Sequence, residues 1–124
     1  MKDNRPRNLD LTAFRWPFPA ITSIFHRVSG AFLLLGMALL LYLLETSLGS
    51  EAGFNQVATL MGSSMMKFIT WVVVSAVLYH LIAGIKHLIM DMGIGETVEG
   101  GLRASIAVVV LSAIAIVVAG IWIW

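Results

Sequence analysis

Three polar residues, Ser23, His26 and Arg27, stand close together at the start of a long apolar run. In a helix, Ser23 and His26 share a face at i and i+3, and Arg27 borders that face at i+4 from Ser23. A hydroxyl, an imidazole and a guanidinium at a membrane–water boundary suit a ligand with a hydrogen-bonding head and an apolar tail. A quinone is such a ligand. Anchoring at the membrane surface is the alternative explanation for Arg27.

His80 is the most deeply placed ionisable residue of the sequence. It lies about ten residues before the end of its apolar run near Met90, or roughly 15 Å at 1.5 Å per residue, which is near the middle of a bilayer. Neutral imidazole is a good axial ligand for haem iron. Gly84 at i+4 leaves space on the same face for a flat macrocycle, and His87 at i+7 lies about 10.5 Å nearer the surface, where haem propionates would point. A hydrogen bond to a neighbouring helix is the alternative role for His80.

A six-coordinate haem at His80 requires a second axial ligand. We expect His26 and His87 both to lie nearer the surface than His80, so neither is at a matching depth. The second ligand would then come from another chain, which makes this chain a subunit.

The composition indicates that the polar residues described above lie on membrane-spanning segments. Of the 124 residues, 59% are hydrophobic and 12% are charged, and the mean hydropathy is +0.91, as in an integral membrane protein. The net charge of +1, without basic residues interleaved with aromatics, argues against a nucleic-acid partner. Because the sequence has no cysteine, it supplies no disulfide and no iron–sulfur ligand, and redox chemistry would need a bound cofactor.

Three apolar segments are long enough to cross a bilayer. They are about Ile21–Leu44, Phe68–Met90 and Ala104–Trp124. The sequence therefore predicts one all-α domain over residues 1–124, with a cytoplasmic arm (1–20) and helices at about 21–48, 65–90 and 104–124. The first segment follows a polar arm and is too long for a signal peptide, so we expect it to be retained. The connection Gly49–Ser64 is polar and glycine-rich, and it is expected to be a loop.

The positions of lysine and arginine predict the orientation of these helices. All of them except Lys67 precede or open the first helix, or flank the connection between the second and third. By the positive-inside rule, the N-terminus and the Asp91–Arg103 loop face the cytoplasm and the C-terminus faces the periplasm. In the third helix, Ser105, Ser112 and Ala119 form a small-residue stripe that is typical of helix packing in membranes.

Three stretches of the sequence resemble the cytochrome b membrane-anchor subunit of succinate dehydrogenase, respiratory complex II. They are Arg5-Pro6 with Asn8-Leu9-Asp10-Leu11, then Ser23-x-x-His26-Arg27-x-Ser29-Gly30, and finally His80-x-x-x-Gly84-Ile85-Lys86-His87 with Met90-Asp91-x-Gly93. The resemblance covers nearly the whole chain. It departs from the family pattern at Lys86, where arginine is more usual; lysine keeps the charge but lacks the planar fork for a bidentate contact to a haem propionate or lipid phosphate.

The resemblance implies a multi-pass protein of the bacterial inner membrane. It implies a haem b shared with a second anchor subunit, and docking of an iron–sulfur subunit and a flavoprotein, which would hold the iron–sulfur clusters and FAD. By position, His80 resembles the haem axial ligand, and Ser23 and Arg27 resemble residues that bind and polarise ubiquinone. His26, Arg27 and His87 resemble residues that line the site or contact the haem propionates.

Two other functions are compatible with parts of the sequence. A structural anchor without a cofactor would use its histidines only to join helices, and an absorption spectrum distinguishes it from a haem protein. A small proton-coupled transporter could use His80 as a proton relay. The second and third segments, however, contain no membrane-embedded carboxylate and no broken helix pair, which substrate sites of transporters use.

Overall fold

The computed structural model describes Asp10, residues 12–13 and residues 15–124. These residues form four helices and no strand: α1 (Phe18–Gly49), α2 (Glu51–Met61), α3 (Ser64–Asp91) and α4 (Val98–Ile123). Of the arm motif, only Asp10 is among them. Its carboxylate accepts hydrogen bonds from the hydroxyl and backbone N–H of Thr12, and these bonds lower the pKa of Asp10.

Three of the helices are long and apolar enough to cross a membrane. They are α1 with 32 residues, α3 with 28 and α4 with 26. At 1.5 Å per residue, each exceeds the roughly 30 Å of a bilayer's hydrocarbon core. The all-helical class and the three long apolar helices predicted from the sequence are therefore confirmed.

Local sequence signals set the ends of these helices. The side chains of Ser63 and Thr97 cap α3 and α4 by accepting hydrogen bonds from backbone N–H groups of the first turn, as serine and threonine commonly do. At the end of α3, Gly93 has φ of 81°, and the Ile94 N–H reaches back to the carbonyl of Ile89 at 3.3 Å. This is a Schellman-type ending, in which glycine takes the left-handed position without steric cost.

Two connections differ from the sequence prediction. The segment expected to be a loop, Gly49–Ser64, contains helix α2, which begins where Ser50 accepts a hydrogen bond from the N–H of Gly53. Its apolar residues Val57 and Met61, one turn apart, face a cavity shared with α1. The polar composition of the segment hid this narrow apolar face. The second loop is also shorter than expected, because Thr97 caps α4 and the helix begins at Val98 rather than near residue 104.

Small residues, some with hydroxyl groups, are prominent among the buried residues of the long helices, each of which touches the other two. Ser105 and Ser112 of α4 are buried, as are Ala83 and Val73 of α3. Lipid tails are as apolar as the side chains, so the hydrophobic effect does not drive helices together inside a membrane. Association depends on close packing, which small side chains allow. Burial of Ser105 and Ser112 agrees with the packing role expected for the α4 stripe, whereas its third member, Ala119, is half-buried.

A buried hydrogen-bonded cluster joins all three long helices. The Tyr79 hydroxyl on α3 donates to the Thr22 carbonyl on α1 at 2.7 Å. The Thr22 hydroxyl lies 3.4 Å from that of Ser105 on α4. Because Tyr79 precedes His80 and Thr22 precedes Ser23, this cluster holds the start of α1 against the part of α3 that carries His80.

Candidate functional site

Three histidines from two helices meet at one place in the fold. His26 comes from α1, and His80 and His87 come from α3. The rings of His26 and His80 are stacked with centroids 4.2 Å apart and planes 11° from parallel. The His87 ring lies 5.0 Å from that of His26, tilted by 47°. The structure thus brings together the three histidines singled out from the sequence.

The stacking of His26 on His80 was not expected from the sequence, but the order of the histidines along the helices agrees with the expectation. A Cβ on Gly30 would meet the ring of His80, whereas a Cβ on Gly84, one turn after His80 on α3, would meet the ring of His26. His26 therefore lies opposite the turn of α3 that runs from His80 toward His87, with its ring centroid 4.2 Å from the first and 5.0 Å from the second. Helix α1 begins at Phe18, three residues before the predicted start.

The ring of His80 is fixed by hydrogen bonds to α1. Its Nδ1 lies 3.0 Å from the backbone carbonyl of His26 and 3.1 Å from the hydroxyl of Ser29. Because a carbonyl oxygen can only accept, the proton of a neutral His80 ring belongs on Nδ1. The Nε2 atom then carries a lone pair, as a metal-binding imidazole nitrogen must.

Gly30 makes this close approach possible. A Cβ at position 30 would lie 2.9 Å from Cε1 of His80, closer than a side chain can be without displacing the ring. Neither Ser29 nor Gly30 was expected to be a functional residue. Their place in the Ser23–Gly30 motif was the only signal in the sequence, since their contacts with His80 of α3 appear only in the folded structure.

An apolar groove of about 400 Å³ opens beside the three rings. Gly84 lies in it, and a Cβ there would be 3.5 Å from Nε2 of His26, an ordinary contact distance. The exposed side chains Leu81, Ile85 and Leu88 form its outer wall. The complete lining consists of His26, His80, Leu81, Gly84, Ile85, His87 and Leu88.

The residues of this groove fit a haem. A porphyrin needs apolar walls and an imidazole nitrogen with a free lone pair, and the groove provides the walls and His80 Nε2. Within the described part of the chain, no three His, Asp or Glu side chains are arranged to hold a bare metal ion. A porphyrin brings four nitrogen ligands of its own, so one protein ligand from this chain is compatible with iron binding.

Ser23 and Arg27 lie one turn apart near the start of α1. Ser23 is half-buried and Arg27 is exposed. Over the described ranges, neither side chain has a protein hydrogen-bond or ion-pair partner. Neither residue lines the histidine groove, so the structure does not bring them together with the three rings; both side chains are free to donate to a ligand at the start of α1.

Lys86 lies apart from the histidines. It is 9% exposed and lines a separate apolar cavity of about 250 Å³ between α3 and α4. His87 instead lines the histidine groove. Consecutive helical residues point about 100° apart, so the lysine is directed away from the site that His87 helps to form.

Known proteins resemble this chain along its whole length. Residues 1–119 match the family described as succinate dehydrogenase/fumarate reductase transmembrane subunit. The chain is 46% identical to a succinate dehydrogenase cytochrome b556 subunit of Coxiella burnetii, with 100% of both chains covered. It is 32% identical to the cytochrome b556 subunit of Paracoccus denitrificans, over 87% of this chain and 83% of that one. It is also 32% identical to the mitochondrial cytochrome b560 subunit of Mus musculus, over 88% of this chain and 66% of the relative.

Proposed function

Because the chain belongs to the succinate dehydrogenase/fumarate reductase transmembrane subunit family, we propose that it carries haem b in the membrane and helps to reduce ubiquinone. Family membership confirms the resemblance inferred from the sequence motifs. It makes the chain a subunit of an oxidoreductase complex, with no complete active site of its own. The observation that carries the proposal is His80, whose Nδ1 is bound to the carbonyl of His26, leaving Nε2 available beside an apolar groove.

His80 would hold the haem iron, with His26 and His87 lining the group on the same side. Haem supplies reversible one-electron chemistry at its iron when bound. Arg27, or either flanking histidine when protonated, can offset the negative charge of a haem propionate. Gly84 leaves the surface of α3 open where the macrocycle would lie.

A further histidine for the haem iron would come from a second membrane-anchor subunit. The lone pair of an imidazole nitrogen lies in the plane of its ring, so the stacked rings of His26 and His80 are not placed to hold one iron between them. The three long helices also leave most of their apolar surface uncovered, with 11% of the most apolar stretch of each buried. A second anchor subunit and lipid together would cover that surface.

Ser23 and Arg27 are proposed to bind the ubiquinone head group. Reduction adds two electrons and two protons to the quinone, and negative charge develops on its carbonyl oxygens as electrons arrive. The Ser23 hydroxyl would donate a hydrogen bond to one carbonyl, and the Arg27 guanidinium would stabilise the charge. Both donors lie near the start of a membrane helix, where the head group can meet them while its tail stays in lipid.

The electrons would come from an iron–sulfur subunit docked at that surface, and a flavoprotein bearing FAD would oxidise succinate. This requires the N-terminus and the loop after α3 to face the cytoplasm, and the C-terminus to face the periplasm, of a bacterial inner membrane. The cations among the described residues support this orientation: Arg15, Arg27, Lys86 and Arg103 lie toward one side and Lys67 toward the other. Bacterial relatives support the choice of membrane.

Purification of the complex through a tag on this chain tests the proposal. We expect a second anchor, an iron–sulfur protein and a flavoprotein to copurify, with a low-spin haem b spectrum and succinate:ubiquinone reductase activity. A complex with quinone reductase activity but no haem would identify a cofactor-free anchor. Isolation of the chain without redox partners, together with proton-coupled uptake in vesicles, would identify a transporter.

A further inference from the structure

We propose that Ser29 is a positioning residue for His80 and that its hydroxyl lowers the reduction potential of the haem. This inference rests on the proposed function, because it takes His80 as the axial ligand. It extends that function to a residue that is neither an iron ligand nor a quinone-binding group.

Ser29, the His26 carbonyl and the His80 ring lie within hydrogen-bonding distance of one another and form a small triangle. The Ser29 hydroxyl donates to the His26 carbonyl at 2.8 Å, His80 Nδ1 lies 3.0 Å from the same carbonyl, and Ser29 Oγ lies 3.1 Å from His80 Nδ1. A serine hydroxyl has one proton and two lone pairs. Since its proton is directed to His26, Ser29 Oγ faces His80 as an acceptor, and the Nδ1–H is shared between two oxygens.

Two hydrogen-bond acceptors on the Nδ1–H of His80 change the basicity of Nε2, the other nitrogen of the ring. Hydrogen bonding from a metal-bound imidazole to an oxygen raises the basicity of the coordinating nitrogen and fixes the orientation of the ring. A more basic ligand stabilises ferric iron more than ferrous iron, which lowers the reduction potential. Loss of the hydroxyl should therefore raise that potential, while the His26 carbonyl keeps the ring in place.

The usual hydrogen bond of a helical serine to its own helix does not account for the contact between Ser29 and His80. Serines in helices often bond back to a carbonyl three or four residues earlier, as Ser47 does to Leu44 at 2.8 Å on the same helix. Ser29 makes this back-bond and also contacts a side chain of another helix. Ser47 is thus a matched control, because it shares the helix and the back-bond but has no histidine contact.

Redox titration of the haem in the purified complex tests the proposal. In Ser29→Ala we expect the haem to be retained and its midpoint potential to rise. The ratio of ferric to ferrous haem at a fixed ambient potential should fall by roughly 2- to 10-fold, the size of one net hydrogen bond. Ser29→Thr, which keeps the hydroxyl, should restore the parental potential, and Ser47→Ala should not change it.

Each outcome separates this inference from the proposed function. If His80→Leu keeps the parental haem spectrum, the assignment of the ligand is wrong. If His80 is required for the haem but Ser29→Ala leaves the potential unchanged, or shifts it no more than Ser47→Ala does, Ser29 has only a structural role. Should Ser29→Ala fail to assemble, Ser29→Cys, with a weakly accepting sulfur, must still give a higher potential than Ser29→Thr. Equal potentials in those two variants would overturn the proposal.

Discussion

The imidazole rings of His26 and His80 are stacked face to face, with centroids 4.2 Å apart and planes within 11° of parallel. The backbone carbonyl of the first residue also accepts a hydrogen bond from the ring of the second at 3.0 Å. One residue therefore fixes both the plane and the tautomer of the other. In the proposed site this pairing would give the two histidines different roles, because His80 keeps one ring nitrogen without a hydrogen bond while His26 holds that ring from α1.

Replacement of His80 by leucine should remove or alter the low-spin haem signal, because leucine fills a similar volume but offers no lone pair to iron. His87→Leu is the matched comparison. It changes a histidine of the same groove and the same helix, and we expect it to retain a low-spin signal. Electron paramagnetic resonance of the two purified complexes measures the difference. An unchanged spectrum in His80→Leu would remove this residue from the site.

Gly30→Ala should displace the His80 ring, because the added methyl would lie 2.9 Å from Cε1. Loss of the groups that orient a metal-bound histidine typically lowers metal affinity 10- to 100-fold, so we expect a weaker haem affinity of that order and a complex that is purified with less haem. Pyridine haemochrome absorbance per mole of complex measures this loss.

Gly36→Ala provides the control for a purely steric effect. Its added methyl would lie 2.9 Å from Val73, which is an equally close contact between α1 and α3 but involves no histidine. We expect it to destabilise the complex by about 1–3 kcal/mol, as overpacking does, with the haem content of the assembled complex unchanged. Equal haem loss in both glycine variants would show that helix separation, and not the position of His80, controls haem binding.

The long apolar helices could be predicted because hydropathy depends only on local composition. Helix α2 could not be predicted in the same way. Its apolar residues Val57 and Met61 are separated by polar and small residues, and the surface that they face lies on the preceding helix, α1, which the composition of the segment alone does not show. The start of α1 was misplaced because Pro19, which usually marks a helix stop, lies within the first turn, where proline is tolerated.

At the site, spacing along α3 correctly placed His87 beside the groove of His80, because both lie on one helix face. The stack with His26 depends on how α1 and α3 are aligned along their axes. The spacing of residues within one helix does not give that alignment. The contact between Ser29 and His80 joins residues 51 positions apart. Such a contact between distant residues cannot be inferred from the spacing of residues in one sequence.

The topology can be tested by labelling single cysteines, because the chain contains none. The structure favours Gln56→Cys in α2 and Glu96→Cys in the loop after α3, since both positions are exposed. Gly53, on the same side as Gln56, is unsuitable because a Cβ there would clash with the backbone carbonyl oxygen of Thr46. With an impermeant maleimide on intact spheroplasts, we expect Gln56→Cys to react and Glu96→Cys to react only after lysis. The reverse pattern would invert the proposed orientation.

Ser23→Ala and Arg27→Lys should both impair quinone reduction. Each removes a donor, or changes its geometry, where negative charge develops on the quinone oxygens. Preorganised donors of this kind are worth on the order of 10²–10³ in rate by analogy with oxyanion holes. The lysine variant keeps the positive charge but loses the planar guanidinium, so it separates quinone binding from simple anchoring at the membrane surface.

The assay follows succinate oxidation with two acceptors, ubiquinone and an artificial dye that takes electrons before the quinone site. Both variants should assemble, retain haem and reduce the dye at the parental rate, but lose most ubiquinone reductase activity. Arg15→Lys is the matched control, because Arg15 precedes the same helix and is exposed, and this variant should keep parental rates with both acceptors. Near-parental ubiquinone reduction in Ser23→Ala and Arg27→Lys would mean that these residues only anchor α1 and that the quinone site is built elsewhere.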